Sequence, residues 1–252
     1  MNIAVITGAS SGIGREYVRA VYEMYPSLDE IWIIARRKAL LEEISKNTDK
    51  KVVAFPLDIT DDSSIAQYEE RLKSCNANVQ LLINNAGFGR LSRFDECSAQ
   101  DSAGMIRLNC EALTVMTTAT LPFMKEGGEI INLCSIASFA PNTRMAVYSS
   151  TKAYVMSFSR ALRAELKCRK INVLAVCPGP MDTEFLSVAN IEKGTSRTFD
   201  TLPRVNPKVM AVKSLKASKR GRAVYTNLLF FKFYRFLAKI LPHSIVMKMC
   251  GT

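Results

Sequence analysis

Short runs of consecutive apolar residues alternate along the chain with longer segments in which apolar residues recur at helical spacing. A run such as Ile3 to Ile6 is typical of a strand covered on both faces of a sheet, and the longer segments are typical of amphipathic helices. The pattern predicts strands at about residues 2–7, 30–35, 51–57, 79–83, 129–134 and 171–177, and a last strand near 222–226. It predicts helices at about residues 12–25, 38–47, 61–75, 98–123, 146–168 and 207–218. This alternation indicates a single α/β domain, a doubly wound parallel sheet with helices on both faces, whose strand ends open toward a ligand crevice.

The first strand leads into a glycine-rich turn. Gly8, Gly12 and Gly14 have the spacing GxxxGxG, and the first helix is expected to begin around Gly12. Such a turn directs backbone N–H groups and the positive end of a helix at a phosphate. The spacing differs from the usual dinucleotide pattern GxGxxG, so an ordinary tight βα loop is the alternative at this point.

The second strand ends in Ala35, Arg36 and Arg37. A dinucleotide fold selective for NAD usually has an acidic residue here, which binds the ribose 2′-hydroxyl. A carboxylate would repel a 2′-phosphate, whereas a guanidinium can hold it with charge-assisted hydrogen bonds. The two arginines therefore predict NADP(H) as the cofactor, with solvated surface arginines as the alternative, and Arg36→Asp is expected to shift the preference toward NADH.

Tyr148 and Lys152 are four residues apart in a predicted helix, and Ser135 precedes the tyrosine by thirteen residues. Residues at i and i+4 lie on one face of a helix, so the phenol and the ammonium can point into the same cleft. A nearby cation favours the phenolate, and lowering the tyrosine pKa by about three units would need roughly 4 kcal/mol. This spacing is common in helices, so a purely structural role is the alternative when the motif is taken alone.

Several segments occur in the order typical of one enzyme family. They are TGASSGIG at residues 7–14, Asn84-Asn85-Ala86-Gly87, Asn109, Ser135, Tyr148-x-x-x-Lys152, and Pro178-Gly179-Pro180 followed by Thr183. Each segment alone is weak, but the ordered set resembles the short-chain dehydrogenase/reductase family over about residues 2–226. The resemblance implies a Rossmann-type fold and an oxidoreductase that uses a nicotinamide cofactor. We expect residues 1–226 to form the catalytic domain and residues 227–252 a C-terminal helical extension.

The resemblance also implies roles for individual residues. Tyr148 would protonate the carbonyl oxygen, Ser135 would hold that oxygen, and Lys152 would bind the nicotinamide ribose and lower the pKa of the tyrosine. Asn109 would position a water in a proton relay behind the lysine. Ser138 is a rival for the serine role, but its distance of ten residues from Tyr148 fits the family pattern less well. The predicted cofactor contacts are Gly8, Ser10, Ser11, Gly12, Ile13, Gly14, Arg36, Arg37, Asp58, Ile59, Asn85, Ala86, Gly87, Tyr148, Lys152, Pro178, Gly179 and Thr183.

Residues 184–206 lack a clean hydrophobic period, and the resemblance implies that they form a mobile lid over the substrate. Phe185, Leu186, Val188 and Ile191 suggest that this lid has an apolar lining. A lid of this kind would separate hydride transfer from water. The alternative is a solvated loop without a role.

Composition narrows the class of protein. At 252 residues and 48% hydrophobic content, the chain can bury one substantial core. The single histidine, His243, excludes a Ser-His-Asp triad and a multi-histidine zinc site, so no metal is expected. The cysteines at 75, 97, 110, 134, 168, 177 and 250 form no C-x-x-C pair and are expected to be free thiols. Because the first strand begins at residue 2, we expect no signal or transit peptide and a cytoplasmic location.

The C-terminal segment is strongly basic. Of the 34 Lys and Arg residues, eleven lie in residues 201–252, which contain no Asp or Glu, and the remaining 23 are balanced by 23 acidic residues. Within LLFFKFYRFLAKIL, the cations Lys232, Arg235 and Lys239 form one stripe on a predicted amphipathic helix. Three interpretations remain open: packing on the same or a sister subunit, attachment to a membrane surface, and a wall for a bulky or anionic substrate such as an acyl thioester. Nucleic-acid binding is not expected, because no recognition motif accompanies the charge.

These features predict an NADPH-dependent enzyme that interconverts a ketone and a secondary alcohol on a lipophilic substrate, steroid-like or acyl-chain-like. The apolar residues of the predicted lid and tail are the basis for the substrate expectation. The alternative is a catalytically idle scaffold or regulatory protein that retains a nucleotide pocket. Against it, such a protein would not need Asn109, Ser135, Tyr148 and Lys152 together. The resemblance further implies a homodimer or homotetramer.

Overall fold

The computed structural model describes residues 1–47 and 51–249. One seven-stranded sheet crosses its centre in the order β3-β2-β1-β4-β5-β6-β7, with every neighbouring pair parallel. The strands are β1 (Asn2–Thr7), β2 (Glu30–Ile34), β3 (Val52–Phe55), β4 (Asn78–Asn84), β5 (Glu129–Leu133), β6 (Asn172–Val176) and β7 (Val224–Tyr225). The predicted doubly wound parallel sheet is confirmed. The strand order reverses between β1 and β4, which is where sheets of this kind bind their ligands.

Helices connect the strands across both faces of the sheet. They are α1 (Gly12–Met24), α2 (Lys38–Lys46), α3 (Asp62–Ser74), α4 (Ala99–Ile106), α5 (Leu113–Thr120), α6 (Ala146–Glu165), α7 (Glu184–Val188), α8 (Arg197–Thr201), α9 (Pro207–Lys219), α10 (Leu229–Ile240) and α11 (His243–Met249). Side-chain caps begin several of them: Asp61 accepts from the Ser64 N–H, and Asn206 accepts from the Val209 N–H before Pro207. These caps satisfy N–H groups that have no partner inside the helix.

The helix predicted at residues 98–123 is interrupted. A wider π-helical turn at Arg107–Ala112 separates α4 from α5, and a 3₁₀ turn at Leu121–Phe123 follows. Asn109 lies within the wide turn, and its side chain bonds the backbone of Phe88. Turns of this kind occur often at functional sites, and no apolar period reveals them.

The sheet separates two hydrophobic cores. Ala4 and Ile6 of β1 belong to the core formed with α1 and α9, whereas Ile3 and Val5 belong to the core formed with α3 and α5. Successive strand side chains point to opposite faces, so an apolar run fills both cores at once. Trp32, fully buried in the second core, packs against Phe55 with ring centroids 4.7 Å apart.

The chain continues beyond β7 as the helices α10 and α11, so the predicted helical tail is present. Phe231 of α10 is fully buried in the core that contains α1 and α9. Within residues 1–47 and 51–249, no helix combines the length and apolar character needed to cross a membrane. The six cysteines in these ranges are free thiols, and Cys250 lies outside the described residues. The division between domain and tail near residue 226 stays a prediction.

Candidate functional site

A cavity of about 830 Å³ opens at the carboxyl ends of the central strands. It collects every predicted cofactor contact together with Ser135. Those residues are Gly8, Ser10, Ser11, Gly12, Ile13, Gly14, Arg36, Arg37, Asp58, Ile59, Asn85, Ala86, Gly87, Ser135, Tyr148, Lys152, Pro178, Gly179 and Thr183. Of the predicted site residues, Asn109 alone does not line the cavity.

The glycine turn after β1 packs against the loop after β4. Gly8 has a φ of +65°, and a Cβ there would lie 2.8 Å from the Ala86 Cα, so the turn requires glycine. The Asn85 side chain donates to the Thr7 and Gly8 carbonyls at 2.9 and 3.1 Å. In return, the Thr7 hydroxyl accepts from the Asn85 and Ala86 N–H groups at 3.0 and 3.1 Å. Thr7 is a positioning residue that the sequence analysis did not single out.

The two arginines after β2 have different surroundings. Arg37 Nη2 donates to the Ser10 and Ser11 hydroxyls at 3.0 and 2.8 Å, which places its guanidinium over the glycine turn. The same nitrogen lies 2.9 Å from Glu184 Oε2 at the start of α7. Arg36 is 76% exposed, and its closest carboxylate oxygen, on Asp58, is 3.9 Å away.

Glu184 is a second positioning residue that was not among the predicted site residues. The hydrogen bond from Arg37, and a weaker one from Ser11, lower the pKa of the Glu184 carboxyl below its ordinary value. The first residue of the predicted lid is therefore a carboxylate bound to an arginine at the cofactor end of the cavity. No sequence pattern links Arg37 to Glu184, which is 147 positions later.

The catalytic candidates meet at the end of β5. Tyr148 and Lys152 lie on α6 and are 7% and 4% exposed. The Tyr148 ring packs against Phe185 with centroids 5.6 Å apart, and the Lys152 ammonium lies 5.9 Å from the centre of the Tyr148 ring. Lys152 Nζ donates to the Leu133 carbonyl at 2.8 Å. The i, i+4 spacing thus places phenol and ammonium in one cleft.

Ser135 begins a 3₁₀ turn at Ile136–Ser138, and its hydroxyl oxygen accepts from the Ala137 N–H at 3.1 Å. This leaves the O–H of Ser135 as a donor, and a hydrogen bond from Ser135 partly opposes the rise in the Tyr148 pKa. Its rival Ser138 instead donates to the Ser135 carbonyl at 2.6 Å and is absent from the residues that line the cavity. The geometry favours Ser135.

The pKa of the Tyr148 phenol is raised in this structure, so the lowering by Lys152 that the resemblance implies stays a prediction. Burial raises the pKa of the Tyr148 phenol, and the hydrogen bond with Ser135 only partly opposes this increase. Burial also lowers the pKa of Lys152. Desolvation disfavours the charged form of each group, and the lysine ammonium is directed at Leu133 rather than at the phenol oxygen.

Asn109 lies fully buried behind the cavity wall. Its amide nitrogen donates to the Phe88 carbonyl at 2.9 Å and to the Thr151 hydroxyl at 3.0 Å, and its oxygen accepts from the Phe88 N–H. A Cβ at Gly87 would lie 2.8 Å from the Asn109 oxygen and 3.4 Å from Lys152 Nζ. Asn109 and Lys152 thus approach the same glycine, and Asn109 fixes the loop that carries it.

The remaining wall of the cavity is mainly apolar and comes from four parts of the chain. Its apolar members include Phe88, Met145, Leu186, Phe199, Leu202, Phe230 and Tyr234. Arg90 also lines the cavity, with its Nε 3.2 Å from Asp101 Oδ2. Of the predicted lid lining, Phe185, Leu186 and Val188 line the cavity, whereas Ile191 is buried in a cluster with Leu91 and Met105. Arg90 was not among the predicted site residues.

The comparisons with known proteins agree with this arrangement. A family model described as short chain dehydrogenase matches residues 2–194. The NADP-dependent 3-hydroxy acid dehydrogenase of Schizosaccharomyces pombe is 35% identical over 188 residues, 72% of each protein. The 3-oxoacyl-(acyl-carrier-protein) reductase of Aquifex aeolicus is 29% identical over 197 residues, 75% of this chain and 78% of that protein. The short-chain dehydrogenase from Sphingobium yanoikuyae in complex with NADPH is similar at TM-score 0.78 and 29% identity, over 96% of this chain and 97% of that chain.

Proposed function

Since the chain belongs to the short-chain dehydrogenase family, we propose that it is an NADPH-dependent reductase of a ketone on a lipophilic substrate. The observation that carries this proposal is the convergence of Ser135, Tyr148 and Lys152 beside the glycine turn in one cavity.

The residues at the cofactor end fit NADP(H). The glycine turn and the start of α1 offer backbone N–H groups to a pyrophosphate. Arg37, fixed by Ser10 and Ser11, offers a guanidinium to a 2′-phosphate, and residue 35 is an alanine where NAD-selective folds carry an acid. The Schizosaccharomyces pombe relative is NADP-dependent by name, and the Sphingobium yanoikuyae protein was solved with NADPH. The cofactor is NADP(H).

A bound NADPH would supply the hydride for the carbonyl carbon. Ser135 donates its hydroxyl hydrogen bond to the carbonyl oxygen, where negative charge develops. Tyr148 transfers its proton to the same oxygen, and its burial keeps the phenol protonated until that charge appears. Lys152 lies close enough to stabilise the resulting phenolate, and Asn109 holds the loop behind it.

Residues 184–206 form the lid in this proposal. Phe185 covers the Tyr148 ring, and Glu184 connects the beginning of the lid to Arg37. The lid also supplies Leu186, Phe199 and Leu202 to the cavity wall. A lid with this apolar inner side excludes water from the proton transfer.

The apolar wall supports a lipophilic substrate, steroid-like or acyl-chain-like. A ketone that also bears a carboxylate is a second candidate, because Arg90 and Arg107 line the same cavity and one relative acts on 3-hydroxy acids by name. The carbonyl would lie at Tyr148 in both cases. An idle scaffold would need none of these groups around one cleft.

Turnover on a panel of ketones tests the proposal. The panel contains a steroid ketone, a 3-oxoacyl thioester and a free 3-oxo acid, and NADPH and NADH oxidation are compared for each. We expect NADPH-dependent turnover of at least one lipophilic member, with NADPH preferred over NADH. Quenching of NADPH fluorescence on binding, without turnover of any member, would instead support the scaffold.

A further inference from the structure

The helix α10 carries large apolar side chains on the side that faces away from the protein. Leu229, Phe233, Phe236 and Ile240 follow one another at spacings of four, three and four residues, so they form one stripe along the helix. Their exposed fractions are 80%, 60%, 59% and 60%. We call these four residues the outer face. Contiguous apolar surface of this kind marks an interaction site in soluble proteins.

The opposite side of α10 fixes the orientation of the helix. Phe231 is fully buried, and its ring lies so close to Gly179 that a Cβ there would be 2.2 Å from Phe231 Cε2. Ala238 is buried in a small core with Ala140 and Val246. Rotating the helix to hide the outer face would remove Phe231 and Ala238 from these cores. The outer face is therefore held toward solvent by packing.

One flank of α10, between the outer face and the buried side, carries only positive charge. Lys232 and Lys239 are exposed and Arg235 is half-buried. The sequence has no Asp or Glu anywhere in residues 201–252, so no acidic residue of this segment offsets these cations. Electrostatic complementarity calls for an anionic partner.

An anionic phospholipid surface matches both features. The 12 residues of α10 give a length of about 18 Å, far short of the ~30 Å hydrocarbon core of a bilayer. A short helix with aromatic and aliphatic residues on one side and Lys or Arg beside them lies in the plane of the headgroups. An antiparallel twofold contact between copies would place the same basic flanks near each other, which opposes association.

We propose that the outer face of α10 docks on an anionic membrane, with Lys232 and Lys239 at the phosphate level and Phe233 and Phe236 among the acyl chains. The same helix contributes Phe230 and Phe231, with Tyr234, to the wall of the reaction cavity. This part rests on the proposed function: the docked helix brings the cavity next to the bilayer, which supplies a ketone dissolved in it.

Vesicle sedimentation of the full chain tests the docking. Two vesicle types are used, phosphatidylcholine alone and phosphatidylcholine mixed with phosphatidylglycerol. The variant Phe233→Ser/Phe236→Ser alters the outer face, and Lys232→Gln/Lys239→Gln alters the basic flank. None of these four residues lines the cavity or belongs to a core cluster. Phe94→Ser/Ile106→Ser is the matched control, because both residues are exposed and lie outside the tail. Deleting everything after Thr226 would be less informative, because it also removes Phe231 from the core.

We expect the wild type and the control to sediment with the anionic vesicles and far less with phosphatidylcholine alone. Each tail variant should lose about tenfold or more in partition coefficient. Equal sedimentation of the wild type and the Phe233→Ser/Phe236→Ser variant overturns the proposal, as does equal binding to both vesicle types. The competing occupant of the outer face is a second copy of the chain, and light scattering on the same samples detects it. If the Phe233→Ser/Phe236→Ser variant forms a smaller oligomer than the wild type but binds vesicles equally, the outer face is a contact between copies.

Activity separates this proposal from the proposed function. With a water-soluble ketone, the Phe233→Ser/Phe236→Ser variant should keep wild-type turnover. With a ketone dissolved in anionic vesicles, its apparent KM should rise about tenfold while kcat is unchanged. An unchanged KM overturns the delivery of substrate from the bilayer. Absence of turnover in every protein refutes the proposed function and leaves the sedimentation result as it is.

Discussion

Arg36 and Arg37 are neighbours in the chain, but their guanidinium groups have different partners. Arg37 is bound by Ser10, Ser11 and Glu184, and it therefore has a fixed position at the glycine turn. Arg36 extends into solvent. A fixed guanidinium loses less conformational entropy when it binds a phosphate.

We therefore expect Arg37→Ala to weaken NADPH binding more than Arg36→Ala. Loss of charge-assisted hydrogen bonds to the 2′-phosphate should raise the Kd for NADPH about tenfold or more for Arg37→Ala. The Kd for NADH should change little, because NADH lacks that phosphate. Fluorescence titration of both variants with both cofactors checks this. A larger loss of NADPH affinity in Arg36→Ala would reassign the contact.

Sequence alone could identify the residue types of the site but could not choose between these arginines. The pairing of Tyr148 with Lys152 could be predicted because helical periodicity determines which residues share a face. The roles of Thr7 and Glu184 could not, because their partners lie far away in the chain. The rise in the pKa of Tyr148 could not be predicted from the sequence either, since it depends on how deeply the folded chain buries the phenol.

At the scale of elements, α10 is joined to the cavity by the contact between Phe231 and Gly179. Gly179→Ala should destabilise the fold by about 1–3 kcal/mol, because the added methyl group overlaps the aromatic ring. Phe231→Leu in the same chain should recover part of this loss, since the smaller side chain leaves space.

Denaturant unfolding of the two single variants and the double variant measures this coupling. The control pair is Gly127→Ala with Phe231→Leu, because nothing lies within 4 Å of a Cβ at Gly127. The φ of +85° at Gly127 carries its own cost, which should add to that of Phe231→Leu without coupling. Additive losses for Gly179→Ala and Phe231→Leu would contradict the contact.

The pattern of apolar residues predicted most helices and strands, because the buried side of each element determines the period at which its apolar residues recur. It did not reveal the wide turn at Arg107–Ala112, where the polar side chain of Asn109 bonds the backbone of Phe88. Nor did it reveal α7 and α8 in residues 184–206, which are only five residues each. It also left the partner of α10 open, because only the packing of Phe231 and Ala238 shows which side faces outward.

At the scale of the whole molecule, buried phenols make stability sensitive to alkaline pH. Burial raises the pKa of Tyr17, Tyr68 and Tyr148 above the ordinary value of about 10. Burial together with Glu129 does the same for Tyr25. Below pH 10 both the folded and unfolded chains keep these protons. Above it, the unfolded chain releases them first, so the free energy of unfolding falls.

Each such phenol contributes about 1.4 kcal/mol of lost stability per pH unit above about pH 10. Denaturant unfolding at a series of pH values, followed by circular dichroism, measures this slope. Tyr68→Phe should reduce the slope, because the variant has one fewer buried phenol. A free energy of unfolding that stays constant from about pH 9 to pH 11 would contradict the burial of these tyrosines.

The overall architecture was the most predictable level. Alternation of apolar runs with amphipathic segments determines a parallel sheet between two helical layers, because crossover connections require it. The position of the crevice follows from the same topology. The substrate was least predictable, because the cavity wall combines side chains from distant segments, such as Phe88, Met145, Phe199 and Tyr234.

The most direct test of the central claim is the steady-state kinetics of Tyr148→Phe with NADPH and the best ketone of the panel. The substitution removes only the phenolic oxygen, so the Kd for NADPH should stay close to the wild-type value. Loss of the proton donor should lower kcat/KM by about 100-fold to 10,000-fold. A variant that binds NADPH normally and retains wild-type kcat/KM would contradict the assignment of Tyr148 as the general acid.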